Sequence, residues 1–185
     1  VTDGRTAPDQ DLLDLIRDVA DFPKPGIVFK DIAPLLADAT AFARVVDAIT
    51  ELARTGPGGS PVTKVAGIEA RGFILAAPVA YRLGVGLVPV RKSGKLPGAT
   101  LAASYALEYG EATLEIPADG LQAHDQVFVV DDVLATGGTL NAAIELVRRA
   151  GAEVAGAAVL LELGFLDGRA RLAGTGVELH ALLTV

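Results

Sequence analysis

Apolar positions recur at helical spacing over residues 9–20, where Leu12, Leu13, Leu15, Ile16 and Val19 share a face between Pro8 and Pro23. A second helix is predicted over 40–54, with Phe42, Val45, Val46, Ile49 and Leu52 on one side. Between them, Asp21-Phe-Pro-Lys-Pro-Gly-Ile-Val-Phe-Lys-Asp31 sets two prolines and a glycine ahead of a short apolar run. That order reads as a rigid, irregular surface segment rather than an interior strand. Thr55-Gly-Pro-Gly-Gly-Ser-Pro61 is too short for a domain linker and reads as a loop.

From Lys64 the period changes. Runs rich in Val, Ile and Leu at 64–68, 86–90, 126–130, 153–161 and 178–183 predict strands, and helical patterns at 73–83, 138–150 and 166–172 lie between them. Strands apolar on both faces that alternate with helices describe an α/β fold, a central mostly parallel sheet flanked by helices. Residues 101–116 interrupt the alternation with two strands around Tyr109-Gly110, a hairpin expected to project from the sheet as a lid. The chain is read as one domain over 1–185, with a small N-terminal hood over about 1–35 and a flexible lid over about 91–116.

Composition narrows the chemistry. Of 185 residues, 51% are hydrophobic and 21% charged, too apolar for a disordered chain. Sixteen basic against 23 acidic residues leave a net charge of -7, which argues against general binding to nucleic acid or an anionic membrane. A small phosphorylated ligand on a local basic cluster stays possible. With no cysteine, thiolate nucleophiles, disulfides and Cys-ligated zinc are excluded, and His124 and His180 are too far apart in sequence to suggest a histidine metal site. Methionine is absent, position 1 included. No signal-peptide pattern and no unbroken apolar run near about 18 residues is read, so a cytoplasmic protein is expected.

The most informative stretch is Val127-Phe-Val-Val-Asp-Asp-Val-Leu-Ala-Thr-Gly-Gly-Thr-Leu140. A buried strand delivers Asp131 and Asp132 at its carboxyl end, and a loop of Ala135, Thr136, Gly137, Gly138 and Thr139 opens a helix. Unpaired N–H groups, two hydroxyls and the positive end of a helix dipole make that loop a phosphate cradle. No Lys follows the glycines, as a nucleoside-triphosphate loop requires, and the G-x-G-x-x-G of dinucleotide folds is missing. Two acids just ahead of the cradle suit the vicinal hydroxyls of a sugar 5-phosphate. Taken singly, the features have plainer readings. The acids can cap a helix at a solvated strand end, Glu69-Ala-Arg-Gly72 can be a surface turn, and Arg91, Lys92 and Lys95 can be a solubilising face.

Val129-Val-Asp-Asp-Val-Leu-Ala-Thr-Gly-Gly-Thr139 resembles the phosphoribosyl pyrophosphate signature of the type I phosphoribosyltransferases. Four more blocks resemble the adenine-specific branch of that family in the same order: Asp21-Phe-Pro-Lys-Pro-Gly-Ile-Val-Phe-Lys-Asp-Ile32, Glu69-Ala-Arg-Gly-Phe73, Val90-Arg-Lys-Ser-Gly-Lys-Leu-Pro-Gly98 and Ser104-Tyr-Ala-Leu-Glu-Tyr-Gly110. The similarity runs from Asp21 to about Leu163. It implies a type I phosphoribosyltransferase-like fold and a reaction of adenine with phosphoribosyl pyrophosphate that gives AMP and pyrophosphate. It also implies a homodimer, and Mg²⁺ held through substrate oxygens and water.

By the same resemblance, Asp131 and Asp132 hold the ribose hydroxyls, and the 135–139 loop holds the phosphate. Arg71 and the backbone around it bind pyrophosphate, with a non-proline cis peptide placed at Glu69–Ala70. Arg91, Lys92 and Lys95 offset diphosphate charge, and in the family the residue matching Arg91 can reach the neighbouring subunit's site. Glu108 handles the purine proton, while Tyr105 and Tyr109 help close the lid against water. Phe29 stacks on adenine, Val133 covers its other face, and backbone groups of Val28 and Lys30 read its hydrogen-bonding edge. Many relatives carry arginine where this chain has Lys30, a change of little weight if the contact is through backbone. His124 and His180 fall in no matching block and are assigned to structure. Two rivals are weighed: an enzyme of the same fold acting on guanine, hypoxanthine or xanthine, and a purine-responsive regulator that binds without turnover.

Overall fold

The helix expected over residues 9–20 stops early. The structure, a computed structural model, describes residues 10–106 and 110–185. It comprises two compact units, one ending at Val46 and the other running from Asp47 to Val185. In the first, α1 is only Gln10–Leu13, and Arg17–Ala20 forms a strand, β1. It pairs antiparallel with β2 (Val28–Asp31), from Arg17↔Asp31 to Ala20↔Val28. Val19 sits opposite Phe29, and ion pairs Arg17–Asp31 (2.6 Å) and Lys30–Asp18 (2.7 Å) tie the ribbon together. Cross-strand pairing overrides the local helical spacing, and no short window of sequence displays it.

Asp21 (φ 57°) and Gly26 (φ 85°) turn the chain between the two strands, and the Asp21 carboxylate accepts the Gly26 N–H at 2.7 Å. Phe22, Ile27 and Val28 stay exposed, as expected of a surface segment, but residues 28–31 are paired strand and not irregular, because β1 supplies the backbone partners. Then follow α2 (Ala33–Ala37) and α3 (Ala39–Leu52), and the unit boundary falls inside α3.

The second unit contains β3 (Lys64–Ile68), α4 (Gly72–Leu83), β4 (Gly86–Lys92), β5 (Thr100–Ala106), β6 (Glu111–Pro117) and β7 (Gln126–Leu134). It continues through α5 (Gly138–Arg149), β8 (Glu153–Glu162), α6 (Gly168–Leu172) and β9 (Leu179–Thr184). Among the described residues, seven strands form one sheet in the order β5-β6-β4-β3-β7-β8-β9. β4, β3, β7, β8 and β9 are parallel, while β6 runs antiparallel to β4 and β5 antiparallel to β6. Ile68, Val90, Val127, Val129, Ile144 and Val159 lie in the shared core. The helix predicted over 166–172 is shorter, a single turn at Gly164–Leu166 and then α6, with Asp167 at φ 51° between them.

The hairpin is joined to the sheet at its base through Arg91↔Glu115 and Lys92↔Leu114. That pairing covers the edge that β4 would otherwise expose, and it buries Leu114 and Ile116 in the same core as Val88 and Val90. The distal half, Ser104–Ala106 against Glu111–Thr113, carries on past the carboxyl end of β4. The hairpin therefore grows out of the sheet's own edge instead of projecting from its middle.

Strand order also locates the site. The β3–α4–β4 crossover steps to one side of the β3/β7 pair, and β7–α5–β8 steps to the other. Right-handed crossovers in opposite directions place α4 and α5 on opposite faces and leave a crevice at the carboxyl ends of β3 and β7.

Candidate active site

Two loops leave that crevice edge side by side, 69–71 after β3 and 135–137 after β7. Asp131 and Asp132 lie inside β7, two residues short of its end, beyond the Gly67↔Val130 pairing with β3. Both are buried, at 7% and 6% exposure. They border a cleft of about 480 Å³ together with Glu69, Arg71, Lys92, Tyr105 and Thr139.

The acid pair is electrostatically loaded. The Asp131 Oδ1 accepts the Asp132 N–H at 2.8 Å. Burial first, and the neighbouring Asp132 charge second, push the Asp131 carboxyl well above its usual range. Arg71 Nε stands 2.5 Å from Asp132 Oδ2, which pairs the charges. That oxygen is buried and accepts no bond of hydrogen-bond geometry among the described residues. Arg71 is thus drawn onto the acids rather than left in a solvent turn, and the Glu69–Ala70 peptide beside it is cis, as the resemblance implied.

Gly72 lets these parts approach. A Cβ there would lie 2.8 Å from Asp131 Oδ1 and 3.1 Å from Asp131 Cα, so any side chain displaces the acid. The sequence reading took Gly72 as part of a turn and missed this close approach, because the contact joins residues 59 positions apart (131 − 72).

The glycine–threonine loop turns directly into α5. Gly137 adopts φ 79° and α5 begins at Gly138. A small recess of about 60 Å³ is lined by Asp131 and residues 133–140, so Val133 borders the loop as well. Tyr105, on β5, reaches across the loop, where Thr139 Oγ1 donates to its Oη at 3.1 Å.

The basic run is sorted by the fold. Glu69, its side chain 8% exposed, accepts Arg91 Nε (3.1 Å), Lys92 N (3.0 Å) and Lys95 Nζ (2.9 Å). Burial pushes its carboxyl up, but the bonds from Lys95, the Lys92 N–H and Arg91 outweigh that and hold it below its ordinary value. On the other side, buried Glu115 accepts Ser93 Oγ (2.5 Å) and Gly94 N (3.1 Å). Two carboxylates therefore pin the basic loop, and Lys92 lines the cleft while Arg91 and Lys95 rest on Glu69. Neither anchor was legible in sequence, since each lies more than 20 residues from its partners.

Val28, Phe29 and Lys30 fall in β2 of the first unit, where Phe29 meets the edge of Phe22 at 5.2 Å between centroids. Val28 and Lys30, two apart on one strand, turn their backbone groups to the same side. Glu108 and Tyr109 lie outside the described residues. His124 is exposed ahead of β7, and His180 in β9 stands 3.6 Å from Glu178, away from the residues that line the cleft.

A family model described as a phosphoribosyl transferase domain matches residues 35–176. An adenine phosphoribosyltransferase of Streptomyces coelicolor is 66% identical over 177 residues, 94% of either chain. This chain belongs to the adenine phosphoribosyltransferases. The crystal structure of the Rhodothermus marinus family member is 48% identical with a TM-score of 0.89, covering 97% of this chain and all of that one. The Saccharomyces cerevisiae member, solved with an imino-altritol bisphosphate and adenine, is 36% identical with a TM-score of 0.87 over 95% and 98% of the two chains. The family is associated with Mg²⁺-dependent phosphoribosyl transfer. Among the described residues no three His, Asp or Glu gather as a metal set, and no helix is long and apolar enough to cross a membrane.

Proposed function

We propose that this chain transfers the 5-phosphoribosyl group of phosphoribosyl pyrophosphate to adenine, giving AMP and pyrophosphate in purine salvage. The carrying observation is the meeting, at one sheet edge, of a buried aspartate pair with a glycine–threonine loop opening α5. The loop takes the 5-phosphate on its N–H groups and the Thr136 and Thr139 hydroxyls. Asp131 and Asp132 take the ribose hydroxyls, and Arg71 and Lys92 face the diphosphate across the cleft, with Arg91 and Lys95 behind them.

The bond from the anomeric carbon to the diphosphate oxygen breaks with its electron pair on the diphosphate. The sugar gains oxocarbenium character beside the two carboxylates, and purine N9 closes onto it as its proton is lost. We assign Glu108 to assist that loss, and Tyr105 and Tyr109 to keep water from competing. Val133, which borders the recess at the loop, is assigned to a face of adenine. The yeast relative's adenine and bisphosphate ligands support this reading.

Mg²⁺ belongs to the proposal. Asp132 Oδ2 is already ion-paired with Arg71, so the acid pair would leave the ion to diphosphate oxygens and water. When bound, the ion neutralises leaving-group charge. A homodimer and a cytoplasmic setting complete the reading.

The test is turnover with phosphoribosyl pyrophosphate, Mg²⁺ and competing purines. Adenine should react while guanine, hypoxanthine and xanthine lag by about 10⁴, because the wrong edge leaves buried polar groups unpaired. Pyrophosphate release with a 6-oxopurine instead moves the chain to the first rival, and tight binding without turnover moves it to the second. E108A should lose about 100-fold in kcat, and full turnover in that variant refutes the role given to Glu108.

G72A gives a separate check on the crevice. Alanine favours the helix by about 1 kcal/mol over glycine. The variant should nonetheless lose most activity, measured by pyrophosphate release, because its Cβ pushes Asp131 aside.

A further inference from the structure

We propose that Arg171, outside every motif of the sequence, is a ligand of the 5-phosphate and supplies the side-chain charge that the glycine–threonine loop lacks. The inference rests on reading that loop as the phosphate cradle. The loop itself offers N–H groups and hydroxyls, but no cation follows its glycines. A phosphate dianion held there gains from a guanidinium, whose fork matches two of its oxygens.

The fold brings one in through α6. A Cβ on Gly168, the first residue of α6, would overlap the Ala135 carbonyl, and a Cβ on Gly137 would lie 2.6 Å from the Gly168 oxygen. The start of α6 is therefore pressed directly on the loop. Three residues on, the same face of α6 carries Arg171. Its Cβ is 3.4 Å from that Gly137 position, and its Nη1 is 3.5 Å from where a Cβ on Gly138 would stand. A Cβ at the first position of a helix tilts toward the N-terminus. The guanidinium accordingly lies on the side of α5 where the unpaired N–H groups emerge.

The arginines of the described residues are otherwise accounted for. Arg17, Arg44, Arg54, Arg71, Arg82 and Arg91 are ion-paired. Arg148 and Arg149 donate to the Thr175 and Ala102 carbonyls. Arg169, on the same short helix, is consumed by Glu162 (2.6 Å) and the Leu179 carbonyl (2.9 Å), which anchors α6 to the sheet. Among the described residues, Arg171 is the one arginine with no hydrogen bond or ion pair to protein. A ligand can engage it without breaking an existing pair.

The experiment is calorimetric titration of the full chain with AMP, ribose 5-phosphate and pyrophosphate, alongside steady-state kinetics. R171A should weaken AMP and ribose 5-phosphate about tenfold and raise the KM for phosphoribosyl pyrophosphate similarly. Its kcat and its affinity for pyrophosphate should hold, and R171K should recover part of the loss. R54A, which removes an exposed charge elsewhere, should match the wild type. If R171A binds AMP as tightly as a wild type that turns over, Arg171 has no such role while the loop keeps its own. If the wild type neither binds AMP nor turns over, the loop reading falls and this inference falls with it.

Discussion

Replacing Asp131 with asparagine should lower kcat/KM for phosphoribosyl pyrophosphate by about 100- to 1000-fold while the Tm holds or rises. Asparagine keeps the Oδ1 that accepts the Asp132 N–H at 2.8 Å, so the local backbone stays as it is. What disappears is a buried carboxyl whose ionisation is opposed by burial and by Asp132. The free protein loses an electrostatic cost; on the proposed reading, the bound sugar loses a carboxylate beside it as the bond to the diphosphate opens. Pyrophosphate-release kinetics and a thermal melt on the same preparation separate the two effects. A lower Tm with proportionate loss of activity would show that Asp131 acts as a structural group, and the catalytic reading of the pair would fail.

G137A should be damaging on both measures. At φ 79° an alanine costs about 1–2 kcal/mol from backbone conformation alone. Its Cβ would also lie 2.6 Å from the Gly168 oxygen and 3.3 Å from the Gly168 carbon, backbone atoms that can move only if α6 retreats. A fall in Tm of about 5–10 °C is expected, together with a rise of about 100-fold in the KM for phosphoribosyl pyrophosphate as the recess deforms. G174A is the matched control, because no atom lies within 4 Å of a Cβ at that exposed position. Equal behaviour of the two variants would mean that the loop does not depend on its contact with α6.

Legibility followed the range of the interactions. The strands at 64–68 and 153–162 and the helix at 138–149 are close to their sequence readings, since each is an apolar run or an amphipathic period complete in itself. The segment at 17–20 was misread as helix because its stabilising partners, Asp31, Lys30 and Phe29, arrive only through a turn. In the site, Asp131, Asp132 and the glycine–threonine loop are contiguous and could be read directly. The roles of Glu69 and Glu115 as anchors of the basic loop could not, because the same carboxylates in another fold would be surface charges.

The order of residues in this chain determined a mostly parallel sheet clothed by helices, a glycine–threonine turn with two acids ahead of it, and a family resemblance carried by five blocks. Those are local properties, set by side-chain period, backbone freedom and the chemistry of neighbours along the chain. Tertiary structure alone decided that Arg71 pairs with Asp132, that Glu69 restrains two of the three basic side chains, and that α6 delivers Arg171 to the mouth of α5. These depend on which strand ends at the same edge as which. That order is set by burying the whole core at once, and no single segment encodes it.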